Sequence, residues 1–423
     1  MLKDCLDIFR GLYEQQGDNL ILKDYKLTQG DYILINDNGE IIKKMTVNNK
    51  NDYNIEDYNY FKELDYLSKL ISMQKPIDSK KVIHSNSHLS FFVRKENINN
   101  GKLSQEIIDN YYKMLNNAEL KYKTKDKRGA LLIYKELEKQ YGKTDSNSIN
   151  KNKQWIKENI FSLLKKLTLK EDNNYLKIFF NASIEDYRKE SEKYIFPNVF
   201  NNVEHNVDIE GNIYGVSGNN TTLNSKKPFL LNKTRKNTMP YLIELEEAAL
   251  QQKFFEFLLN KIEDGRNIIY LSDKKQFYLK NDEVLKEKFN GLFLRIEKGL
   301  EPKIMDFTVI PNYNPKINSI EIDGKVVENK SELLDLIDDV YFGKQLKKNL
   351  FREANDMNIS NWKFKAVILR YKEVFIDYFY RGNELLLKNM WHKISKEIIK
   401  LSISNGYILN ARQQENLQSI LFK

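Results

Sequence analysis

Asn219, Asn220, Thr221, Thr222 and Asn224 precede Lys226, Lys227, Lys233, Arg235 and Lys236 in the string GVSGNNTTLNSKKPFLLNKTRKNTMPYLI, which runs from Gly215 to Ile243. Amide and hydroxyl side chains match base edges, and lysine or arginine neutralises phosphate, so this mixture suits nucleic acid. The segment is also marked by what it lacks. From Gly211 to Ile243 there is no Asp or Glu, although the chain holds 59 acids in 423 residues. A window of that length would ordinarily carry about four or five, and each would repel phosphate. Gly215 and Gly218 would let backbone amides approach a ligand closely. On an extended strand, two of Lys233, Arg235 and Lys236 fall on one side, which makes these three the better phosphate clamps. The competing reading is a solvated lysine-rich face.

Two other constellations carry chemistry. His84, Asn86 and His88 alternate in IHSNSHLSFFV, so on a strand all three would point to one face. That is half of a metal site, and the remaining histidines, His205 and His392, do not complete it. Contact to RNA at His84 and Asn86, or ordinary structural hydrogen bonding, fits better. Glu297, Lys298 and Asp306, and then Glu321, Asp323 and Lys325 in EIDGKVV, loosely resemble the carboxylate and lysine sets of Mg²⁺ nucleases. With 30% charged residues such spacings arise cheaply, and Asp323-Gly324 reads as a hairpin turn. The sequence contains no phosphate-binding P-loop, dinucleotide fingerprint, nucleophile elbow or H-E-x-x-H helix. The expectation is a protein that is not an enzyme and needs no cofactor or metal.

Composition bounds the partner and the compartment. Hydrophobic residues at 41% and aromatics at 12% support sizeable cores, and the length allows two or three domains. A net charge of +9 favours a polyanion, provided the positive potential is local. The single Cys5 excludes an intramolecular disulfide and a cysteine-built zinc site, in keeping with a reducing cytoplasm. No apolar run approaches the length of a membrane span, and the amino terminus is charged throughout.

These residues need elements to position them. Apolar spacing predicts a helix over Lys3 to Gln16, then a hairpin in which Tyr32–Ile35 and Glu40–Ile42 flank the turn at Asn36 to Gly39. Residues from Gln105 to Leu167 read as helical and charged, interrupted by an exposed loop from Gly142 to Lys153. Tyr175–Phe180 reads as a buried strand and Ile184–Tyr194 as a helix capped by Ser183. Beyond the basic segment, Tyr241–Ile262 reads as a helix, and Asn267–Leu271, Gly291–Ile296 and Ile304–Ile310 as strands. Past Ser331 the chain turns helical, with one apolar stripe from Phe364 to Phe379 and another from Leu387 to Leu401. The fold class expected is α+β. A mixed α/β body over residues 1–330 carries the basic Asn/Thr/Lys loop 211–243, and a helical carboxy-terminal region covers 331–423.

Several blocks together resemble a known family. They are YILINDNGEII, DYLSKLISMQKPID with IHSNSHLSFFVRKEN, FFNASIEDYRKESEKYIFPNVFN, the Gly215–Ile243 string and GLFLRIEKGLEPKIMDFTVIP. The chain is similar to the large subunit of type I-B CRISPR surveillance complexes (Cascade, Csh-type). The resemblance implies a non-catalytic role in antiviral defence: binding the 5′ handle of the guide RNA (crRNA), recognising the PAM and opening the target duplex into an R-loop. It also implies double-stranded target DNA, backbone and small Cascade subunits, and a helicase-nuclease as partners. Asn219, Asn220, Thr221, Thr222 and Asn224 would take PAM-proximal contacts, and Lys226, Lys227, Lys233, Arg235 and Lys236 backbone phosphates. Family members usually continue into a helical small-subunit-like region, whereas this sequence stops at Lys423: either the small subunit is a separate polypeptide and an expected partner along the R-loop, or the sequence ends early. The alternatives are a free-standing nucleic-acid-binding protein and a Mg²⁺ nuclease.

Overall fold

The computed structural model describes residues 2–49, 53–123, 129–169, 172–201, 205–219, 242–299, 301–322 and 324–422. Its first elements are α1 (Leu2–Gln16), α2 (Asn19–Leu22), β1 (Gly30–Ile35), β2 (Ile41–Val47), α3 (Tyr58–Ser68), β3 (Ser90–Arg94), α4 (Lys95–Asn99), α5 (Gln105–Asn116), α6 (Ala118–Lys123), α7 (Ala130–Tyr141), α8 (Ser146–Lys166), β4 (Tyr175–Phe180) and α9 (Ile184–Asn198). There follow β5 (Val207–Ile209), β6 (Asn212–Gly215), β7 (Ile243–Glu244), α10 (Leu245–Glu263), β8 (Ile268–Leu271), β9 (Gln276–Leu279), β10 (Phe289–Lys298), β11 (Pro302–Tyr313), β12 (Lys316–Ile322) and β13 (Lys325–Asn329). Helices α11 (Lys330–Phe342), α12 (Leu346–Asn349), α13 (Trp362–Ile376), α14 (Leu385–Ser404) and α15 (Ile408–Gln418) complete the chain. The protein is mixed α and β with a helical carboxy-terminal stretch. No helix among the described residues is long and apolar enough to cross a membrane.

The chain divides into one unit of Gln16–Asn260 and another of Met1–Gln15 with Lys261–Lys423. The boundary expected near residue 330 instead falls inside a core. Buried residues from Ile268 to Leu421 form one apolar cluster, so the strands before 330 and the helices after it share an interior.

In the Gln16–Asn260 unit a four-stranded sheet has the order β2-β1-β4-β3. Strand β1 runs parallel to β4 and antiparallel to β2, and β3 runs antiparallel to β4. Asn36 closes the first hairpin: its Oδ1 accepts from the amides of Asn38 and Glu40, both at 2.9 Å, and Gly39 takes a positive φ of 83°. Gly30 is needed where β1 and β4 meet, because a Cβ there would lie 2.3 Å from the Tyr175 carbonyl oxygen. One sheet face, bearing Ile33, Ile35, Phe91, Val93, Leu176, Ile178 and Phe180, packs on buried residues of α5 and α8. The other presents Tyr32, Phe92 and Phe179 to Phe61 of α3. Being covered on both sides explains the nearly continuous apolar run of β1 and β4.

Burial on both sides also traps charge. Lys177 reaches Asp65 at 2.5 Å, and Lys95 reaches Asp31 at 2.5 Å and Asp172 at 3.0 Å. The polar stretch from Gly142 to Lys153, expected to be a loop, is mostly helix. Asp145 caps α8 by accepting from the amides of Asn147 and Ser148, and Ile149, Asn152, Ile156, Ile160 and Leu163 form its buried stripe. The cap offsets the weak helix propensity of Ser and Asn in the first turn. Ser183 caps α9 as expected, its Oγ accepting from Asp186 N at 3.1 Å.

In the other unit the sheet order is β11-β10-β8-β9, with β12 and β13 as a separate ribbon. Tyr270, Phe293, Ile310 and Tyr313 share a core with α11, α13 and α14. Both helical stripes read from the sequence enter that core: Val367, Ile368, Tyr371, Phe375, Tyr378 and Phe379 are buried within it, as are Leu387, Trp391, Ile394 and Ile398. Lys330 is wholly buried, 3.1 Å from Glu384 and between the rings of Tyr313 and Tyr378.

Candidate nucleic-acid interface

The acid-free segment begins and ends on a small three-stranded sheet in the order β5-β6-β7. Glu210 and Gly211 join β5 to β6 with φ of 54° and 86°, the positive pair of a type I′ turn, and Asp208 Oδ1 accepts from Gly211 N at 2.9 Å. Strand β6 pairs antiparallel with β7, Tyr214 opposite Glu244 and Gly215 opposite Ile243. The two ends of the connection from 216 to 242 are therefore held on adjacent strands.

The outgoing end is fixed residue by residue. Val216 O accepts from Asn201 N at 2.9 Å, and Ser217 bridges to Phe200. Asn219 N donates to Ser217 Oγ at 3.1 Å, Asn219 Nδ2 donates to Gln252 Oε1 at 2.5 Å, and Gln251 Nε2 donates to Asn219 O at 3.1 Å. The line of contacts continues from Gln252 Nε2 to Glu256 Oε1 at 3.1 Å, and from Glu256 to Lys69 at 3.2 Å. Lys69 lies over the Tyr66 ring at 4.4 Å. Gln251 and Gln252, which sequence reasoning missed, thus anchor the segment. The available signal was an amide pair on α10, whose helical spacing puts Gln251 on the buried face.

Gly215 and Gly218 have a packing reason that the sequence did not reveal. A Cβ on Gly215 would lie 2.5 Å from Phe200 ring carbons and 2.6 Å from Asn206 Oδ1, and one on Gly218 would lie 2.9 Å from Val199 O. Of the predicted contacts, Asn219 is placed at the foot of the segment. Asn220, Thr221, Thr222, Asn224, Lys226, Lys227, Lys233, Arg235 and Lys236 lie outside the described residues. A cavity of about 560 Å³ beside the sheet, lined by Leu132, Ile133, Leu137, Phe196 and Ile213, carries Glu136, Glu244 and Glu246. Its carboxylates make it a poor seat for phosphate.

His84, Asn86 and His88 do not alternate on a strand; β3 starts only at Ser90. His84 and Asn86 turn to different internal hydrogen-bond partners, as buried polar groups do. His84 Nε2 lies 2.8 Å from Lys81 O, a carbonyl that only accepts, so Nε2 carries the proton and Nδ1 accepts from Tyr175 OH at 2.8 Å. Asn86 Nδ2 donates to Leu67 O at 2.7 Å, Lys69 O at 3.1 Å and Ser191 Oγ at 3.2 Å. His88 Nδ1 sits 3.8 Å from Glu190. Burial pushes both imidazoles below the ordinary histidine range, favouring the neutral form.

Two of the carboxylates weighed for metal chemistry, Glu297 and Asp306, are taken by arginines. Arg295 pairs with Glu297 at 2.5 Å, and Arg381 binds Asp306 through both Nε and Nη2 while also holding Asp377 at 2.7 Å. A carboxylate neutralised by a guanidinium is a poor ligand for a second cation. Asp323 lies outside the described residues, among which no group of three His, Cys, Asp or Glu is placed to hold a metal. No protein-family model matches this chain, and no curated protein or solved structure matches it either.

Proposed function

We propose that this chain is a non-catalytic, nucleic-acid-binding large subunit of an RNA-guided CRISPR antiviral complex of the type I-B Cascade kind. The observation that carries the reading is the acid-free Asn/Thr/Lys segment, inserted between two paired strands whose outgoing end is braced on α10. A binding segment tied at both ends loses less conformational freedom on engaging its ligand than a free tail does. On this reading Asn219 positions the segment. Asn220, Thr221, Thr222 and Asn224 contact base edges at the PAM, and Lys226, Lys227, Lys233, Arg235 and Lys236 hold phosphates. The guide RNA supplies the remaining sequence recognition by pairing, and the protein starts duplex opening and presents the complex to the helicase-nuclease.

The test assembles the chain with guide RNA and partner subunits and measures affinity for matched duplexes bearing correct or scrambled PAMs. Wild type is expected to prefer the correct PAM by tenfold or more, about 1.4 kcal/mol, and Asn220→Ala/Thr222→Ala to lose that preference. A preference that survives in the variant moves PAM reading elsewhere. Tight duplex binding with a steep salt slope and no dependence on guide RNA would favour the free-standing binder instead.

A further inference from the structure

Helix α14 is strongly two-sided. Leu387, Trp391, Ile394 and Ile398 are buried, while Lys388, His392, Lys393, Lys396 and Lys400 are exposed. At 100° per residue these five fall within a solvent sector about 140° wide, and they climb about 18 Å along the axis. The one acid of the helix, Glu397, is occupied by neighbours on α13: Arg370 Nη1 at 2.6 Å and Tyr371 OH at 2.9 Å. Lys388 is paired with Glu384 at 2.8 Å. Among the described residues no carboxylate lies within ion-pair distance of Lys393, Lys396 or Lys400.

Some lysines elsewhere are paired, while others that are exposed, such as Lys286 and Lys288, are not; what marks α14 is three unpaired lysines following one another on one helix face. Lys135 pairs with Glu119 at 3.0 Å, Lys139 with Glu136 at 2.6 Å, Lys151 with Asp37 at 3.5 Å and Lys153 with Asp109 at 2.7 Å. A solvated lysine face of the usual kind is interspersed with acids that cancel its potential. Here Lys393, Lys396 and Lys400 follow one another at about 4.5 and 6 Å along the axis, and Tyr407, just past the helix, is 62% exposed. Closely spaced, uncompensated cations fit a nucleic-acid backbone.

We propose that the outer face of α14, through Lys393, Lys396 and Lys400, is a second nucleic-acid contact that holds backbone phosphates and is separate from the 211–243 segment. It does not depend on how that segment is read. The test uses the full chain and fluorescent oligonucleotides of about 20 nucleotides, one a single-stranded oligo-dT and one a duplex, titrated across about 50 to 200 mM salt. Neutralising three phosphate contacts contributes about 2 to the single-strand salt slope, roughly an eighteenfold change in affinity over that range. Lys393→Gln/Lys396→Gln/Lys400→Gln is expected to lose that increment on at least one oligonucleotide, and the two arms identify which form of the backbone the face takes. Lys135→Gln/Lys139→Gln/Lys151→Gln, which removes the same charge from paired positions, is expected to bind like wild type. Lys226→Gln/Lys227→Gln reads the loop separately, so the failure of one surface is distinguishable from that of the other. The proposal is overturned if the α14 variant, folded by its thermal melt, binds both oligonucleotides as wild type does, or if the paired-lysine control loses as much.

Discussion

Asp65→Leu removes one half of a buried ion pair and leaves the other half charged. Asp65 and Lys177 are 1% and 6% exposed and lie 2.5 Å apart. Lys177 Nζ sits between the rings of Tyr32 and Phe92 at 5.1 and 4.9 Å, and Tyr25 OH donates to Asp65 Oδ2 at 2.8 Å. Without the carboxylate the ammonium faces aromatic rings alone, and the Tyr25 hydroxyl loses its acceptor. Breaking such a pair from one side costs about 3 to 5 kcal/mol. For a unit of this size that lowers Tm by about 6 to 20 °C. Replacing both partners, as Asp65→Leu/Lys177→Met, leaves no buried charge and is expected to recover most of the loss. Urea unfolding followed by the fluorescence of Trp155, which lies in the same unit, measures all three variants. The reasoning is refuted if Asp65→Leu costs under about 1 kcal/mol, as an exposed pair would, or if the double variant is no more stable than the single.

Gly215→Ala sets a methyl against the Phe200 ring at 2.5 Å and is expected to cost about 1 to 3 kcal/mol, partly relieved by Phe200→Leu; wild-type stability in urea would contradict the packing account. Asp145→Ala removes the cap of α8 and should cost about 1 kcal/mol by the same assay; no loss would mean that the helix start is held by other contacts. His84 and His88 are pushed down by burial, so the unfolded chain takes up their protons more readily than the folded one. Their contribution is therefore full above the unfolded value of about 6.5 and is lost as pH falls below it, by up to about 1.4 kcal/mol per pH unit for each. Unfolding measured from pH 7 to pH 5 checks the sign, and stability that rises on acidification would refute it.

Elements with strong periodicity or punctuation were legible in the sequence. The first hairpin, β4, the Ser183 cap and the two carboxy-terminal stripes follow from apolar spacing and turn residues that act within a few positions of one another. What was not legible depended on distant partners. The polar run before Ile149 folds as helix because a stripe further along is buried against the sheet. The alternation of His84, Asn86 and His88 resembles a strand, yet Lys81, Tyr175, Leu67 and Ser191 draw the side chains apart. Gly215 looked like a ligand-facing glycine, and only the position of Phe200 supplies its packing reason. At the candidate interface the chemical character of the segment is local and readable, whereas its anchoring by Gln251 and Gln252 is a tertiary fact. The uncompensated face of α14 was visible only in part, because knowing which lysines lack partners requires knowing where Arg370 and Tyr371 place Glu397.

The most direct test of the central claim is photochemical cross-linking of the assembled complex, with guide RNA, to a target duplex carrying a photoreactive base at the PAM. Peptide mapping is predicted to place the principal cross-link between Ser217 and Tyr241, and to lose it when the PAM is scrambled. Cross-links confined to other segments, or unchanged by the PAM and by omission of the guide, would contradict the account.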